Sequence, residues 1–339
     1  MKNENSGFLE LLNSFINQYL PVAVGASRNT IKSYKYVFRL LIEFLNGRNV
    51  ASDKIEFSML TYELISNFLT WLEKERNCSP STKNQRLSAL LSFSGYAQNR
   101  NFEAASVFRS SIVKIPMKKV FKKKRAVFTV DEVSCLLHMP CVTKETGFRD
   151  QVILCLMYAS GARAQEICDL KIRDFQFSSV GATLNITGKG GKARRIGISL
   201  KCTELLEEFI RRHNLTDKAD NYLFSSQTHE KMTISCLEEI FRKYVSLAKK
   251  MHPEMFHESS YPPHSMRHST ASHMLEAGVP LIVIKNFLGH ESLQSTQIYA
   301  ELSQNTVDKH LKEWNKKWFA PDITKNVEKA ELIPAFLRI

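Results

Sequence analysis

The sequence has no long apolar run. Its longest apolar stretch, Val152 to Ala162, is eleven residues, well short of the ~20 that a membrane-spanning helix needs. Nor does the N-terminus, MKNENSGFLELL, show a basic segment followed by an apolar core, so nothing there directs secretion. Cysteine is sparse and unpatterned. The seven, at 78, 135, 141, 155, 168, 202 and 236, are odd in number and contain no CxxC pair. That disfavours a disulfide scaffold and a Cys-rich zinc site, and it fits a reducing cytoplasm. No internal repeat is evident. Acidic residues are the minority: 34 Asp and Glu against 47 Lys and Arg, which leaves a net charge of +13. Such a surplus favours a polyanionic partner, either nucleic acid or an anionic membrane surface. The 339 residues are 43 % hydrophobic and 24 % charged, an ordinary globular mixture with chain enough for about two domains.

The first 115 residues read as helices. Ser27 is placed to cap a helix running to about Arg48, with Ile31, Tyr34, Phe38, Leu41 and Leu45 as its apolar stripe. Lys32, Lys35 and Arg39 follow the same spacing on a more exposed face. A second helix is expected over about Thr61 to Arg76. A third starts at Ser79-Pro80, a capping residue followed by proline at the first helical position; it carries Lys83 and Arg86 one turn apart. Pair by pair these basic residues read first as solvated helix surface and second as a nucleic-acid contact.

Residues 114–125, KIPMKKVFKKKR, form the clearest linker. Seven of the twelve are Lys or Arg, including Lys118, Lys119, Lys122, Lys123, Lys124 and Arg125, and none is acidic. Self-repulsion and Pro116 argue against a packed element. Extended, the segment spans roughly 40 Å at about 3.3 Å per residue, enough for two domains to sit on opposite sides of a duplex. Beyond it, Thr129 and Glu132 make a capping box before a short helix to about Met139, and an apolar helix follows from about Phe148 to Ser160, broken at Gly161. The period then changes. Phe175, 182–187 and 193–199 read as strands, the last two joined across Gly188-Lys189-Gly190-Gly191 as a hairpin. Helices return at about 203–213, 232–250, 264–277, 281–288, 293–301 and 304–318. The fold class is mainly α with a small β-sheet. Four parts follow: a helical domain over 1–113, the linker 114–125, a larger domain over 126–318 and a tail over 319–339.

The chemistry-bearing residues are weak one at a time. Arg163 precedes Glu166 by three, which suits an ordinary ion pair. Lys189 sits at a glycine turn, where lysine is often only a solubilising residue. His264 and Arg267 are three apart at a helix start; His290 follows Leu288-Gly289 at a helix end; Tyr299 lies in QSTQIYAEL.

Taken in order, YASGARAQEICDL, the hairpin GKGGKARRIGI, HSMRHSTASHMLEAG and LGHESLQSTQIYA closely resemble the catalytic segments of the tyrosine recombinase (phage integrase) family. The earlier segments SRNTIKSYKYVFRLLIEFL and SPSTKNQRLSALLSFSGYA are similar to that family's helical core-binding domain. The resemblance covers most of the chain, excluding about the last 35 residues. It implies a SAM-like core-binding domain and an α+β catalytic domain that together form a clamp around DNA. It also implies an enzyme that cuts and rejoins DNA without metal or ATP, through a tyrosine joined to a 3′-phosphate. By the same resemblance Arg163 and Arg267 match the two phosphate-binding arginines, His264 the general base, Lys189 the acid for the leaving 5′-oxygen, His290 the second histidine on the scissile phosphate, Glu166 the brace of the first arginine, and Tyr299 the nucleophile. Two guanidiniums suit a phosphoryl transfer because each is always cationic and offers parallel donors. A phenol with a pKa near 10 needs a base or a strongly positive site. Met266 stands where leucine is usual, and Ala300-Glu301 follows the tyrosine where Thr-His or a similar pair often occurs; neither position is catalytic.

The partners so implied are a double-stranded recombination site and further copies of the chain, a dimer per site and a tetramer in the synapse, acting through a Holliday junction. No cofactor and no membrane are expected, and the location expected is the cytoplasm, on the nucleoid. Val307, Leu311, Trp314 and Trp318 form an apolar stripe that fits docking on a neighbouring protomer or on the chain's own domain equally well. Length and tail favour movement of a mobile element, by integration, excision or transposition. Xer-type resolution of chromosome or plasmid dimers, which a more compact chain fits better, is the alternative role, and a non-cutting DNA-binding architectural protein the alternative class. The need for a companion recombinase or accessory protein is left open.

Overall fold

The computed structural model describes residues 7–120, 125–188, 191, 193–226, 229–290, 292 and 294–296. The chain divides into two compact units, Met1–Lys123 and Lys124–Ile339.

In the first unit the regular elements among the described residues are all helical. Helix α1 (Phe8–Ser14) runs into a π-helical stretch, Phe15–Ala23. Helices α2 (Arg28–Asn46), α3 (Tyr62–Lys74), α4 (Pro80–Arg100) and α5 (Phe102–Val113) follow. Each of these four starts with a side-chain cap that takes up an orphan backbone N–H: Ser27 accepts from Thr30, Thr61 from Leu64, Ser79 from Thr82 and Asn101 from Ala104, at 3.1–3.3 Å. Aromatic rings fill the centre. Phe93 meets Phe8 edge-on at 5.5 Å and Phe38 at 5.0 Å, contacts worth about 0.5–1.5 kcal/mol beyond the area they bury. The start of the basic run does not hang free. Asn84 on α4 brackets Lys118, donating to its carbonyl at 2.8 Å and accepting from its N–H at 2.9 Å.

The second unit surrounds α7 (Glu145–Ser160). Val152, Ile153, Leu154, Leu156 and Met157 are all buried, so the apolar run noted in the sequence is a core helix packed on every side. No described helix is long and apolar enough to cross a membrane. Helix α6 (Val130–His138) carries the expected capping box, with Thr129 and Glu132 exchanging bonds of 2.8 and 3.1 Å. After the short α8 (Ala164–Asp169) comes an antiparallel sheet in the order β1 (Phe175–Ser178), β2 (Gly181–Thr187), β3 (Ala193–Ile198). Its register pairs Ile186 with Arg194 and Thr187 with Ala193. Helices α9 (Leu200–Arg212), α10 (Ile234–Met251), α11 (His264–Glu276) and α12 (Leu281–Leu288) complete the unit. The architecture is the mainly helical one with a small sheet that the sequence implies. Of the helices expected at 293–301 and 304–318, only 294–296 is described, and it is helical. The rest, with the stripe of Val307, Leu311, Trp314 and Trp318 and the tail 319–339, lies outside the described residues.

Candidate active site

Arg163 follows the sharp end of α7. Gly161 closes that helix in the left-handed region at φ 55°, where only glycine is free of strain. A Cβ there would lie 3.0 Å from Leu288 and Phe287 side-chain atoms. Two residues on, Arg163 is the extended N-cap of α8. Glu166 at the third helical position reaches back to it, accepting from the Arg163 backbone N–H at 2.8 Å and from its Nη1 at 2.8 Å. The pair therefore forms through capping geometry; Arg163 itself is not helical.

Glu166 is also gripped from β3. Arg194 donates from Nη1 to one carboxylate oxygen at 3.1 Å and from Nη2 to the other at 2.7 Å. Burial alone would push the Glu166 carboxyl up. The Arg194 hydrogen bonds, then the Arg163 backbone N–H, the Arg194 charge and the Arg163 side-chain hydrogen bond, hold it down at about 2. One carboxylate thus faces two permanent cations, and the cluster keeps a net positive charge.

On α11, Arg267 is buried to 2 % exposure. It donates from Nη1 to the Gly161 carbonyl and from Nη2 to the Leu288 carbonyl, both at 2.7 Å. His264, at the start of α11, is exposed. Partial desolvation, followed by the charges of Arg267, Arg163 and Arg125, lowers its pKa below the ordinary histidine value. His290 follows Gly289, the left-handed cap of α12 at φ 66°. Its Nδ1 bonds the hydroxyl of buried Thr296 at 2.9 Å. Desolvation and the charges of Arg267, Arg163, Arg125 and Arg194 lower its pKa to about 4. Both rings are neutral at neutral pH. A single cleft is lined by Arg163, Gly188, Arg194, Lys285, His290 and Ser295, among others. Arg163, His264, Arg267 and His290 thus come from three separate segments, His264 and Arg267 both from α11, and act on one another. Lys189 and Tyr299 lie outside the described residues, as do Lys122, Lys123 and Lys124.

Three members of the site were not singled out for it in the sequence. Arg194 is one; the alternation Arg194, Ile196, Ile198 along β3 places it on the buried face, and that was the available signal. His268 is the second, buried beside Arg267; desolvation and the charge of Arg125, then neighbouring groups, lower its pKa to about 3. Arg125, expected as a linker residue, is the third: its Nη1 lies 3.4 Å from His268 Nε2. The other basic residues fare differently. Lys83 and Lys118 both pair with Glu73, at 3.0 and 2.6 Å, and Arg86 sits over the Tyr36 ring at 4.9 Å. Lys32, Lys35 and Lys119 are exposed. No group of His, Cys, Asp or Glu among the described residues is arranged to hold a metal ion.

Residues 126–306 match the model of the phage integrase family, and residues 11–104 that of the phage integrase N-terminal SAM-like domain. The chain is 32 % identical, over 88 % of its length and 89 % of the other's, to a Sinorhizobium fredii protein named as an integrase/recombinase, y4rC. It is 29 % identical to the tyrosine recombinase XerC of Myxococcus xanthus, over 82 % of this chain and 89 % of that one. In fold it is similar to the XerH site-specific recombinase solved bound to its difH substrate, with a TM-score of 0.66 at 21 % identity, over 92 % of this chain and 90 % of that one.

Proposed function

Because the chain belongs to the phage integrase family of tyrosine recombinases, enzymes that cleave and rejoin DNA in site-specific recombination, we propose that its own reaction runs through the cleft lined by Arg163 and His290. Tyr299 is the nucleophile. Its phenolic oxygen forms a bond to the scissile phosphorus as the bond from phosphorus to the 5′-oxygen breaks, which leaves a 3′-phosphotyrosine and a free 5′-hydroxyl. His264, neutral at pH 7, takes the phenolic proton, and Lys189 gives one to the leaving oxygen. Arg163 and Arg267 carry the charge on the non-bridging oxygens, and His290 donates to the same phosphate. The reverse attack by a 5′-hydroxyl rejoins the strand, and since the phosphotyrosine keeps the bond energy, neither ATP nor a metal enters the scheme. The observation that carries this reading is the meeting of Arg163, His264, Arg267 and His290, from three segments, at one strongly positive site.

The partner is duplex DNA bearing the chain's recombination site, held by a dimer per site and a tetramer in the synapse. The cellular role we assign is movement of a mobile element, in keeping with the similarity to the integrase/recombinase of Sinorhizobium fredii. Dimer resolution is the second reading, favoured by the similarity to XerC. A plasmid with two copies of the DNA flanking the gene tests the assignment. Excision of the intervening segment by the purified chain supports the mobile-element role. Recombination only at a site of the chromosome terminus supports dimer resolution, and none at either contradicts both.

A further inference from the structure

Arg194 itself has been assigned no chemical role above, yet its side chain is held tightly within the cluster. Its side chain is 9 % exposed. Both terminal nitrogens fork onto the two oxygens of Glu166, at 3.1 and 2.7 Å. Each of those oxygens already takes a donor from Arg163, one the backbone N–H and one Nη1. The stem of Arg194 lies against Gly289: a Cβ on that glycine would come within 3.1 Å of its Cδ and 3.2 Å of its Nη1. Gly289 is the residue before His290, and Arg194 itself is in register with Ile186 on the hairpin whose turn holds Lys189. One guanidinium therefore touches, or is continuous in chain with, three segments of the site.

The charge arithmetic adds a second consequence. A carboxylate held by Arg163 alone would cancel its charge, and the pair would present nothing to a phosphate. With Arg194 present the trio keeps one positive charge, and the excess resides on Arg163, the more exposed of the two arginines at 33 %. Resting on the reading of the cleft as the strand-cleaving site, we infer that Arg194 is a positioning residue: it acts as the counter-ion and strut of Glu166, and so leaves the charge of Arg163 to the scissile phosphate. Lysine does not replace it, because a point charge does not span both carboxylate oxygens as the planar fork does.

The test uses the full chain and a nicked duplex carrying its recombination site. Binding affinity and the single-turnover rate of covalent adduct formation at saturating DNA are measured well below each variant's melting temperature, so that a loss of fold stability does not enter. Arg194→Met is expected to bind within about threefold of the parent but to form adduct about 100-fold more slowly, the scale on which a misplaced reacting group costs rate. Arg194→Lys falls between them. Adding Glu166→Gln to Arg194→Met removes the carboxylate that now cancels Arg163, and it restores about tenfold of the loss; a merely structural role predicts no such recovery. A double variant no faster than Arg194→Met overturns the inference, as does Arg194→Met at the parental rate. Equal losses of affinity and rate, with a shallower dependence of binding on salt, make Arg194 a direct phosphate contact and also overturn it. A parent chain that binds the site without forming any adduct contradicts the reading of the cleft and this inference with it, whereas adduct formed equally by parent and Arg194→Met contradicts the inference alone.

Discussion

Arg267 joins the C-terminal ends of α7 and α12 by donating to the carbonyls of Gly161 and Leu288, each at 2.7 Å. The last carbonyls of a helix have no partner within it, and the helix dipole puts its negative end there. A buried guanidinium is therefore well held between two such ends. Arg163 begins two residues after the first carbonyl and His290 two residues after the second, so one side chain fixes the relative placement of both.

Arg267→Ala leaves both carbonyls without that donor. Hydrogen bonds to a charged group are worth about 1.5–3 kcal/mol each, so the variant is expected to lose about 3 kcal/mol of unfolding free energy as well as its activity. Urea denaturation measures the loss; unchanged stability contradicts the strut.

Gly161→Ala tests the close approach at the α7 terminus. Its φ of 55° and the Leu288 and Phe287 atoms 3.0 Å from a Cβ both oppose the substitution. Gly25, at φ 63° with nothing within 4 Å, has only the backbone cost. A left-handed non-glycine residue costs about 1–2 kcal/mol, so Gly25→Ala is expected near that figure and Gly161→Ala clearly above it. Equal changes in melting temperature contradict the packing described.

Much of this was legible in the sequence, and the parts that were not share a cause. Caps at Ser27, Thr61, Ser79 and Thr129, and the glycine stops at 161 and 289, are local signals that a sequence displays directly. Helix α11 has no apolar stripe: Ser265, Arg267, His268, Ser269, Thr270 and Ser272 are all buried. Several are satisfied by distant backbone, as where Ser269 accepts from the Phe128 N–H at 2.7 Å and Thr270 donates to the Tyr158 carbonyl at 2.8 Å, whereas the Ser265 and Ser272 hydroxyls are buried without a hydrogen-bond partner among the described residues. No periodicity shows such long-range pairing. Arg194 and Arg125 were hidden for a related reason. A basic residue reads as surface until its carboxylate or imidazole partner is known, and those partners lie 28 and 143 residues away.

Two histidines of the site, His268 buried and His290 half-buried, give the fold a pH dependence with a definite sign. His268 and His290 have folded pKa values of about 3 and about 4, below the ordinary 6.5 of the unfolded chain. The unfolded state therefore binds protons that the folded state refuses, and stability falls as pH drops below 6.5 toward those values. Unfolding free energy is expected to be constant from pH 7 to 8 and lower at pH 5, with His268→Gln reducing the difference. Equal stability of the parent chain at pH 7.5 and 5 contradicts the assignment.

Arg163→Ala removes a phosphate ligand of the proposed reaction but leaves Glu166 paired with Arg194. Loss of one preorganised donor to a reacting oxyanion costs about 100- to 1,000-fold in rate. Adduct formation on the nicked site is expected to slow by that factor, with affinity changed by less than about tenfold, because many phosphate contacts share the binding. A filter-binding curve and a denaturing gel from one sample separate the two effects. Affinity lost by as much as rate makes Arg163 an ordinary binding residue.

The central claim is that Tyr299 joins covalently to DNA at the site built by Arg163, His264, Arg267 and His290. Nicked duplexes drawn from the DNA flanking the gene, incubated with the parent chain and with Tyr299→Phe and resolved on a denaturing gel, test it most directly. The account predicts a protein–DNA adduct with the parent and none with Tyr299→Phe, at equal binding. An adduct that persists in Tyr299→Phe, or no adduct from a parent chain bound tightly and specifically to the site, contradicts it.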